Sequence, residues 1–405
     1  MTVETPWSPQ QREYRKFVRT VALFRRKLLS AKKQAQPANA WDWYPYDSLG
    51  SWCRLDKMFR GRCQRILGRL APEPVLDIGC ADGELAFFLE SLGHRVHAVD
   101  WLPTNYNGMR GVGALKTALE SSVEIHEVDL DSQFRLPVSQ CGLALLLGVL
   151  YHVKNPFFVL EKLAQHCRYC VFSTTVTRFT PDRHTDLDGL PVAYLLDDGE
   201  LNSDATNHWI FAEAGLRRLL KKTNWEILEY AAWGDTRMSV PDSARRELRV
   251  FGLLKSRWFN DPSDSAELLD GWHELEERRW RWTKKRFSVV LEAMPQVACR
   301  LRLEFFVPGR LIALAGNVRI DATVEGVRLE SAEYHESGPQ VYARLLGPEA
   351  VGSHRLTVQF ELDTSIGPDD SDPRERGIVV SKVFLETVEK PPRPKQSSWR
   401  WSSRR

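Results

Sequence analysis

The segment Val75-Leu76-Asp77-Ile78-Gly79-Cys80-Ala81-Asp82-Gly83 gathers the residues best placed to do chemistry: an apolar run, a carboxylate, a two-glycine turn and a second carboxylate ahead of a helix. Glycine suits such a turn because the chain leaves a strand sharply and because a ligand can approach backbone that carries no Cβ. One apolar run later, Asp100 ends Val96-His97-Ala98-Val99. A carboxylate at that tip can accept hydrogen bonds from both hydroxyls of a ribose, so turn and carboxylate together read as a pocket for a nucleoside-containing cofactor. The pattern D-x-G-x-x-D-G differs from the dinucleotide fingerprint G-x-G-x-x-G. Asp77 and Asp82 would repel a pyrophosphate, but they would stabilise the sulfonium and ammonium of S-adenosylmethionine. Taken singly, Asp77 could as well cap its turn; the ordered set of Asp77, Gly79, Cys80, Asp82, Gly83 and Asp100 is what selects the cofactor.

Two later segments bear on a second substrate. Gly148-Val149-Leu150-Tyr151-His152 follows a fourth apolar run, and His152 falls where a sheet of this kind meets its acceptor. Its imidazole could take a proton from an acceptor hydroxyl, or it could hydrogen-bond the loop and order the following helix. The polar loop that starts at Asn202 and ends in Trp209-Ile210-Phe211 is expected over the carboxyl ends of the strands, which makes Tyr151, Asn202, Asp204, Asn207, His208 and Trp209 candidate acceptor contacts. A purely structural loop is the other reading. Cys167 and Cys170 form a C-x-x-C with no second pair at zinc spacing, so ordinary thiols and no metal site are expected.

These residues need a scaffold, and the periodicity supplies one. Apolar runs over 74–78, 95–99, 123–128, 143–147 and 169–174 alternate with helical stretches over 84–92, 156–166 and 212–222, and a late strand covers 225–230. That alternation predicts an α/β fold with a mostly parallel sheet. Residues 10–33 read as a basic amphipathic helix with Phe17, Val18, Val21, Leu28 and Leu29 on its apolar side; it caps a neighbouring domain or touches an anionic substrate or RNA. An aromatic stretch, Trp41 to Tyr46, links it to a helix over 49–70. Residues 239–295 read as a charged helical connector. From there, period-two alternation in Leu301, Leu303 and Phe305, in Val318, Ile320, Ala322 and Val324, and in Leu356, Val358, Phe360 and Leu362 predicts a β-sandwich of about ninety residues. The expected divisions are therefore 1–48, 49–238, 239–295, 296–388 and a disordered basic tail over 389–405.

Composition sets the outer bounds. At 405 residues and 43% hydrophobic, the chain has room for two or three folded units, and a net charge of +3 does not by itself argue for nucleic acid. The longest apolar run, about Leu143 to Tyr151, falls short of a bilayer crossing, and the first residues lack a charged start followed by an apolar stretch. Seven scattered cysteines lack the spacing of a disulfide framework. A soluble, cytoplasmic protein without a membrane span is expected.

The run from Val75 to Gly83 resembles motif I of class I S-adenosylmethionine-dependent methyltransferases, and Asp100 matches their second-strand acidic position. The resemblance implies that Asp129, in Glu127-Val128-Asp129-Leu130, contacts the adenine amino group, with Leu130 and Gly148 beside it. Gly148 to His152, followed by Asn155-Pro156 and a Leu-rich helix, is similar to the fourth-strand motif of the tRNA wobble-uridine carboxymethyltransferase family. Together these likenesses cover about Trp52 to Tyr230. They imply a Rossmann-like domain with a seven-stranded sheet, S-adenosylmethionine as cofactor, and few dedicated catalytic residues, because the cofactor carries most of the reactivity. The cationic contacts that a carboxylated cofactor would need are not matched. The C-terminal sandwich resembles β-rich modules found beside methyltransferases and glycosyltransferases of bacterial surface-glycan pathways, through Val324-Glu325-Gly326 and the run Phe360 to Ser365. Methyl transfer to a glycan or small-molecule acceptor, on oxygen, is the leading expectation. RNA modification of the wobble-uridine kind, and a non-catalytic scaffold with the sandwich as binding module, are the alternatives.

Overall fold

The computed structural model of the chain describes residues 9–35, 41–70, 72–242, 247–259 and 261–387. The tail expected over 389–405 lies outside the described residues. The chain forms two compact units that meet in sequence between Trp258 and Phe259.

In the first unit, α1 (Pro9–Ala35), α2 (Ser48–Met58) and α3 (Arg62–Leu67) precede a regular alternation. It runs β1 (Val75–Ile78), α4 (Glu84–Ser91), β2 (Val96–Asp100), α5 (Arg110–Leu119), β3 (Glu124–Glu127), β4 (Cys141–Leu147), α6 (Pro156–His166) and β5 (Cys167–Val176). After the short β6 (Ala193–Leu195) and β7 (Trp209–Phe211) come α7 (Glu213–Lys222), β8 (Trp225–Gly234) and β9 (Leu248–Ser256). The strands β3-β2-β1-β4-β5 lie side by side and parallel. β9 then pairs antiparallel along the whole of β5, and β8 pairs antiparallel with β9. The main sheet is thus seven-stranded and mostly parallel, with the β6–β7 hairpin joined at the end of β5. This is the expected Rossmann-like architecture.

Local sequence explains where the elements start and stop. Asn155 caps α6 by accepting from the Phe158 amide at 3.0 Å, and Pro156 fills the first helical position, where no donor is needed. Asp47 caps α2 in the same way through the Gly50 amide at 2.8 Å. Along α1 the buried positions are Phe17, Val21, Phe24, Leu28 and Ala31, and Phe17 and Phe24 meet Phe88 of α4 at ring separations of 6.0 and 5.4 Å. The stripe is narrower than the sequence suggested: Val18 and Leu29 face solvent, because helical geometry places the 17, 21, 24, 28 series on one line and leaves their neighbours beside it.

Among the described residues, the expected helical connector over 239–295 is mostly strand, with one short 3-10 turn over Pro262–Asp264. Its first part is β9, and its remainder supplies β10 (Glu267–Leu268), β11 (Trp272–Glu276), β12 (Trp280–Thr283) and β13 (Arg286–Glu292) of the second unit. β9 lies between β5 and β8 and buries both faces, so its apolar run from Val250 to Leu254 shows no alternation and cannot be told from a helix segment by period. The Trp-rich charged stretch is a hairpin, β11 against β12.

The second unit is a two-sheet antiparallel structure. β14 (Cys299–Val307), α8 (Gly309–Ala315), β15 (Val318–Val324), β16 (Val327–Arg328), β17 (Ala332–Tyr334), β18 (Gly338–Leu346), β19 (Arg355–Leu362) and β20 (Val379–Thr387) complete it. One sheet is ordered β10-β13-β19-β15-β16 with β17 also on β15; the other is β11-β12-β20-β14-β18. The predicted alternations in β14, β15 and β19 all point their apolar residues into the core, where Leu301, Leu303, Val318, Ile320, Val358 and Leu362 are fully buried.

Two further findings concern the whole chain. Cys141 and Cys167, register partners on β4 and β5 with Cα atoms 4.6 Å apart, are joined as a disulfide. Linear cysteine spacing held no sign of this pair, because parallel strands bring together residues that a helix separates in sequence. Among the described residues, no helix is long and apolar enough to cross a membrane.

Candidate cofactor and acceptor site

The turn after β1 is built from left-handed residues: Gly79, Ala81 and Gly83 have φ of 70, 51 and 76°. Protein packing also demands both glycines. A Cβ on Gly79 would stand 2.4 Å from Val149 Cγ2, and one on Gly83 would stand 2.8 Å from both Phe87 and Val112. The neighbours that exclude a side chain are therefore the loop after β4 and the helices behind the turn, where the sequence had suggested a ligand. The Gly79 and Cys80 amides both donate to Val99 O, which fastens the turn to β2.

Asp77 and Asp100 are brought together at the carboxyl ends of β1 and β2. Asp100 accepts from the Ala81 amide and from its neighbour Trp101, both at 2.8 Å. Even so, burial outweighs those bonds and pushes its carboxyl above the ordinary range. Asp77 is only 5% exposed. Burial, with a lesser push from the negative charge of Asp100, raises its carboxyl from 3.8 to about 7, against one backbone hydrogen bond from Ala86. Cys80 is buried beside them and its thiol is driven well above its ordinary range by burial and then by the same two carboxylates. Asp77 is buried and Asp100 half-buried, so desolvation acts on both carboxyls, and the charge of Asp100 adds to it at Asp77.

Asp82 is different. It is 1% exposed and its oxygens are taken by protein donors: the Tyr44 amide at 2.7 Å, Asn107 Nδ2 at 2.7 Å and Lys32 Nζ at 3.6 Å. The role read for it beside a sulfonium gives way to a tether that binds α1, the aromatic stretch and the start of α5 to the glycine turn. Asp129 follows β3, whose end is fixed to β2 by the Val128 amide on Asp100 O at 2.8 Å; its own carboxylate accepts from the Asp131 amide at 2.9 Å. The Leu130 side chain packs into the apolar core. Gly148 closes β4 with φ of 75°, and its amide donates to Ser173 O at 3.0 Å.

His152 stands in a hydrogen-bonded chain. Its Nδ1 lies 2.9 Å from Thr206 Oγ1 and 3.3 Å from the Thr206 carbonyl, and Thr206 Oγ1 donates to Asp204 Oδ1 at 2.6 Å. A carbonyl only accepts and the threonine proton is already committed, so Nδ1 carries the hydrogen and Nε2 keeps the lone pair. Burial lowers the affinity of this imidazole for a second proton, with Asp204 opposing. Of the remaining loop residues, His208 donates its amide to Tyr151 O at 2.8 Å. Trp209 Nε1 donates to Lys154 O at 3.1 Å, and Asn207 Nδ2 donates to Leu201 O at 2.8 Å. Trp209 and Asn207 thus hold the loop's own framework, although Asn207 Oδ1 is buried without a partner. Asn202 is exposed in a left-handed turn.

Residues 54–230 match the family described as a methyltransferase domain. This is a Rossmann-like methyltransferase domain. The match is to the general domain and does not reach the wobble-uridine subgroup. No curated protein matches the chain. Similar solved structures include the N-terminal domain of EvdMO1 with SAH bound, at 16% identity and TM-score 0.37, covering 58% of this chain and 96% of that one. Full EvdMO1 covers 84% of this chain and 97% of that one, at 13% identity and TM-score 0.39. The magnesium protoporphyrin IX methyltransferase (ChlM) of Synechocystis PCC 6803, with bound SAM, covers 58% and 97% at 16% identity and TM-score 0.32. At these scores the likenesses carry no argument of their own.

The methyltransferase domain draws in residues that the sequence did not nominate. Tyr44 is pushed up to about 12 by burial first, then by Tyr151 and Tyr46, with Arg249 opposing and Asp100 adding a smaller push. It therefore lies within electrostatic reach of both Asp100 and the pair Tyr151 and Arg249, so the stretch read as a linker packs beside these residues. Arg249, on β9, hydrogen-bonds Tyr151 and is held by Glu247 at 2.8 Å, which also accepts from Thr175 at 3.2 Å. A Cβ on Gly148 would lie 3.2 Å from the Tyr151 hydroxyl and 3.6 Å from Arg249, so both crowd the end of β4. Arg249 was hidden because its strand read as helix. An open depression of about 520 Å³ is lined by Trp41, Asp42, Tyr106, Asn107, Gly108 and Arg110, and neither Asp77 nor Asp100 lines it.

Proposed function

We propose that the methyltransferase domain binds S-adenosylmethionine and transfers its methyl group to an oxygen of a glycan or small-molecule acceptor. The pair Asp77 and Asp100 carries this reading, because two neighbouring carboxylates, one buried and one half-buried, favour a cationic nucleoside over any anion. The cofactor, when bound, supplies an electrophilic methyl on a sulfonium. Asp100 is placed to accept from ribose hydroxyls, Asp77 to balance the positive end, and Asp129 and Gly148 to flank the base and the methyl donor. His152 Nε2 is the atom suited to take the acceptor proton, oriented through Thr206 and Asp204, while Tyr151 and Arg249 shape the acceptor side.

Calorimetric titration with S-adenosylmethionine tests the reading. Binding in the micromolar range, weakened about tenfold or more in Asp100→Asn, supports it, since a hydrogen bond to a charged group is worth about 1.5–3 kcal/mol. Absence of binding heat returns the domain to the status of a scaffold. Labelled cofactor incubated with cell fractions then distinguishes acceptors, with label entering RNA overturning the glycan or small-molecule assignment.

A further inference from the structure

We propose that the edge of the main sheet carries a binding site for a divalent transition-metal cation, zinc foremost, formed by His97, Glu124 and His126. His97 of β2 and Glu124 of β3 are register partners, and His126 follows Glu124 by two residues. Side chains two apart along a strand share a face, so the three donors converge on one side of the sheet.

The convergence is close. His97 Nδ1 lies 3.0 Å from His126 Nε2, and Glu124 Oε2 lies 3.7 and 3.9 Å from those two nitrogens. The point equidistant from the three atoms stands about 2.1 Å from each, which is the length of a zinc bond to imidazole nitrogen or carboxylate oxygen. Two imidazoles and one carboxylate form a donor set that suits zinc and its neighbours better than magnesium or calcium. The His97 side chain is 5% exposed, that of His126 27% and that of Glu124 57%, so the site is closed behind and open in front, where water completes the coordination.

The ring of His97 is oriented from this side alone. Its Nε2 is buried with no hydrogen-bond partner, so nothing behind the sheet accounts for a histidine at a position flanked by Val96, Ala98 and Val99. His97 precedes Asp100 by three residues, about 10 Å along an extended strand, so the ion stands apart from methyl transfer. Its effect is to pin β3, the edge strand, to β2.

The test uses the full chain, stripped of metal by a chelator and titrated with Co²⁺ as a spectroscopic probe. One equivalent is expected to give a visible d–d absorption that Zn²⁺ displaces, and Zn²⁺ is expected to raise the melting temperature. His126→Ala and, separately, Glu124→Ala should each weaken cobalt binding by at least about tenfold, as loss of even a supporting group at such sites does, while the affinity for S-adenosylmethionine stays that of the unaltered chain. Absence of the absorption well above micromolar Co²⁺, or a cobalt affinity in both variants equal to that of the unaltered chain, overturns the site without touching the methyltransferase reading.

Discussion

The carboxyl of Asp77 gives the clearest residue-scale consequence. Its folded value of about 7 stands above the ordinary 3.8, so the folded chain holds a proton that the unfolded chain releases. The stability this contributes is fully present below about 4 and is lost as pH rises through about 7. A bound cation reverses the preference, so affinity for S-adenosylmethionine should rise from pH 6 to pH 8 with release of a proton, and Asp77→Asn should flatten the profile. Calorimetry in buffers of different ionisation heat measures that proton directly; an unchanged slope in the variant would refute the coupling. His152→Asn should lower kcat by about 10²–10⁴ with cofactor affinity unchanged if Nε2 is the base, and hardly at all if the ring only orders the loop. At this scale the sequence was most legible at strand ends: the positions of Asp77 and Asp100 placed them at the tips of neighbouring strands, where the structure has them. Tyr44 and Arg249 could not be picked out, since each comes in from an element remote in sequence, and no local spacing announces such a meeting.

Among the elements, the attachment of α1 depends on a buried polar tether as well as on its apolar stripe. Lys32 meets both Asp82 at 3.6 Å and Glu84 at 2.5 Å, and Asp82 also receives Tyr44 and Asn107. Asp82→Ala strips the Tyr44 amide of its acceptor and leaves Lys32 on Glu84 and Asn107 on Asp42 O alone, with an expected loss of about 1–3 kcal/mol by chemical denaturation. A variant that keeps its stability and loses only cofactor affinity would restore Asp82 to the cofactor. The same motif therefore holds one carboxylate for a ligand and another for the scaffold, a division that spacing alone does not reveal. Strands with one wet face, such as β14, β15 and β19, were readable by alternation, whereas β9 was not, because burial on both faces erases the period.

For the whole molecule, two compact units within one chain predict two thermal transitions. Among the described residues, no apolar cluster of buried residues spans both units, and the units divide between Trp258 and Phe259. Scanning calorimetry should resolve them, with only the transition of the first unit moving upward when S-adenosylmethionine is added. A single transition that moves as one would contradict that independence.

The place of β9 in the sheet bears on how this protein can be shortened or made. The family match ends at Tyr230, yet the strand that lies against β5 runs from Leu248 to Ser256. A polypeptide stopped at the end of the match, or still emerging from a ribosome at that point, would show a bare, apolar strand flank in the middle of its sheet, the kind of surface that seeds aggregates.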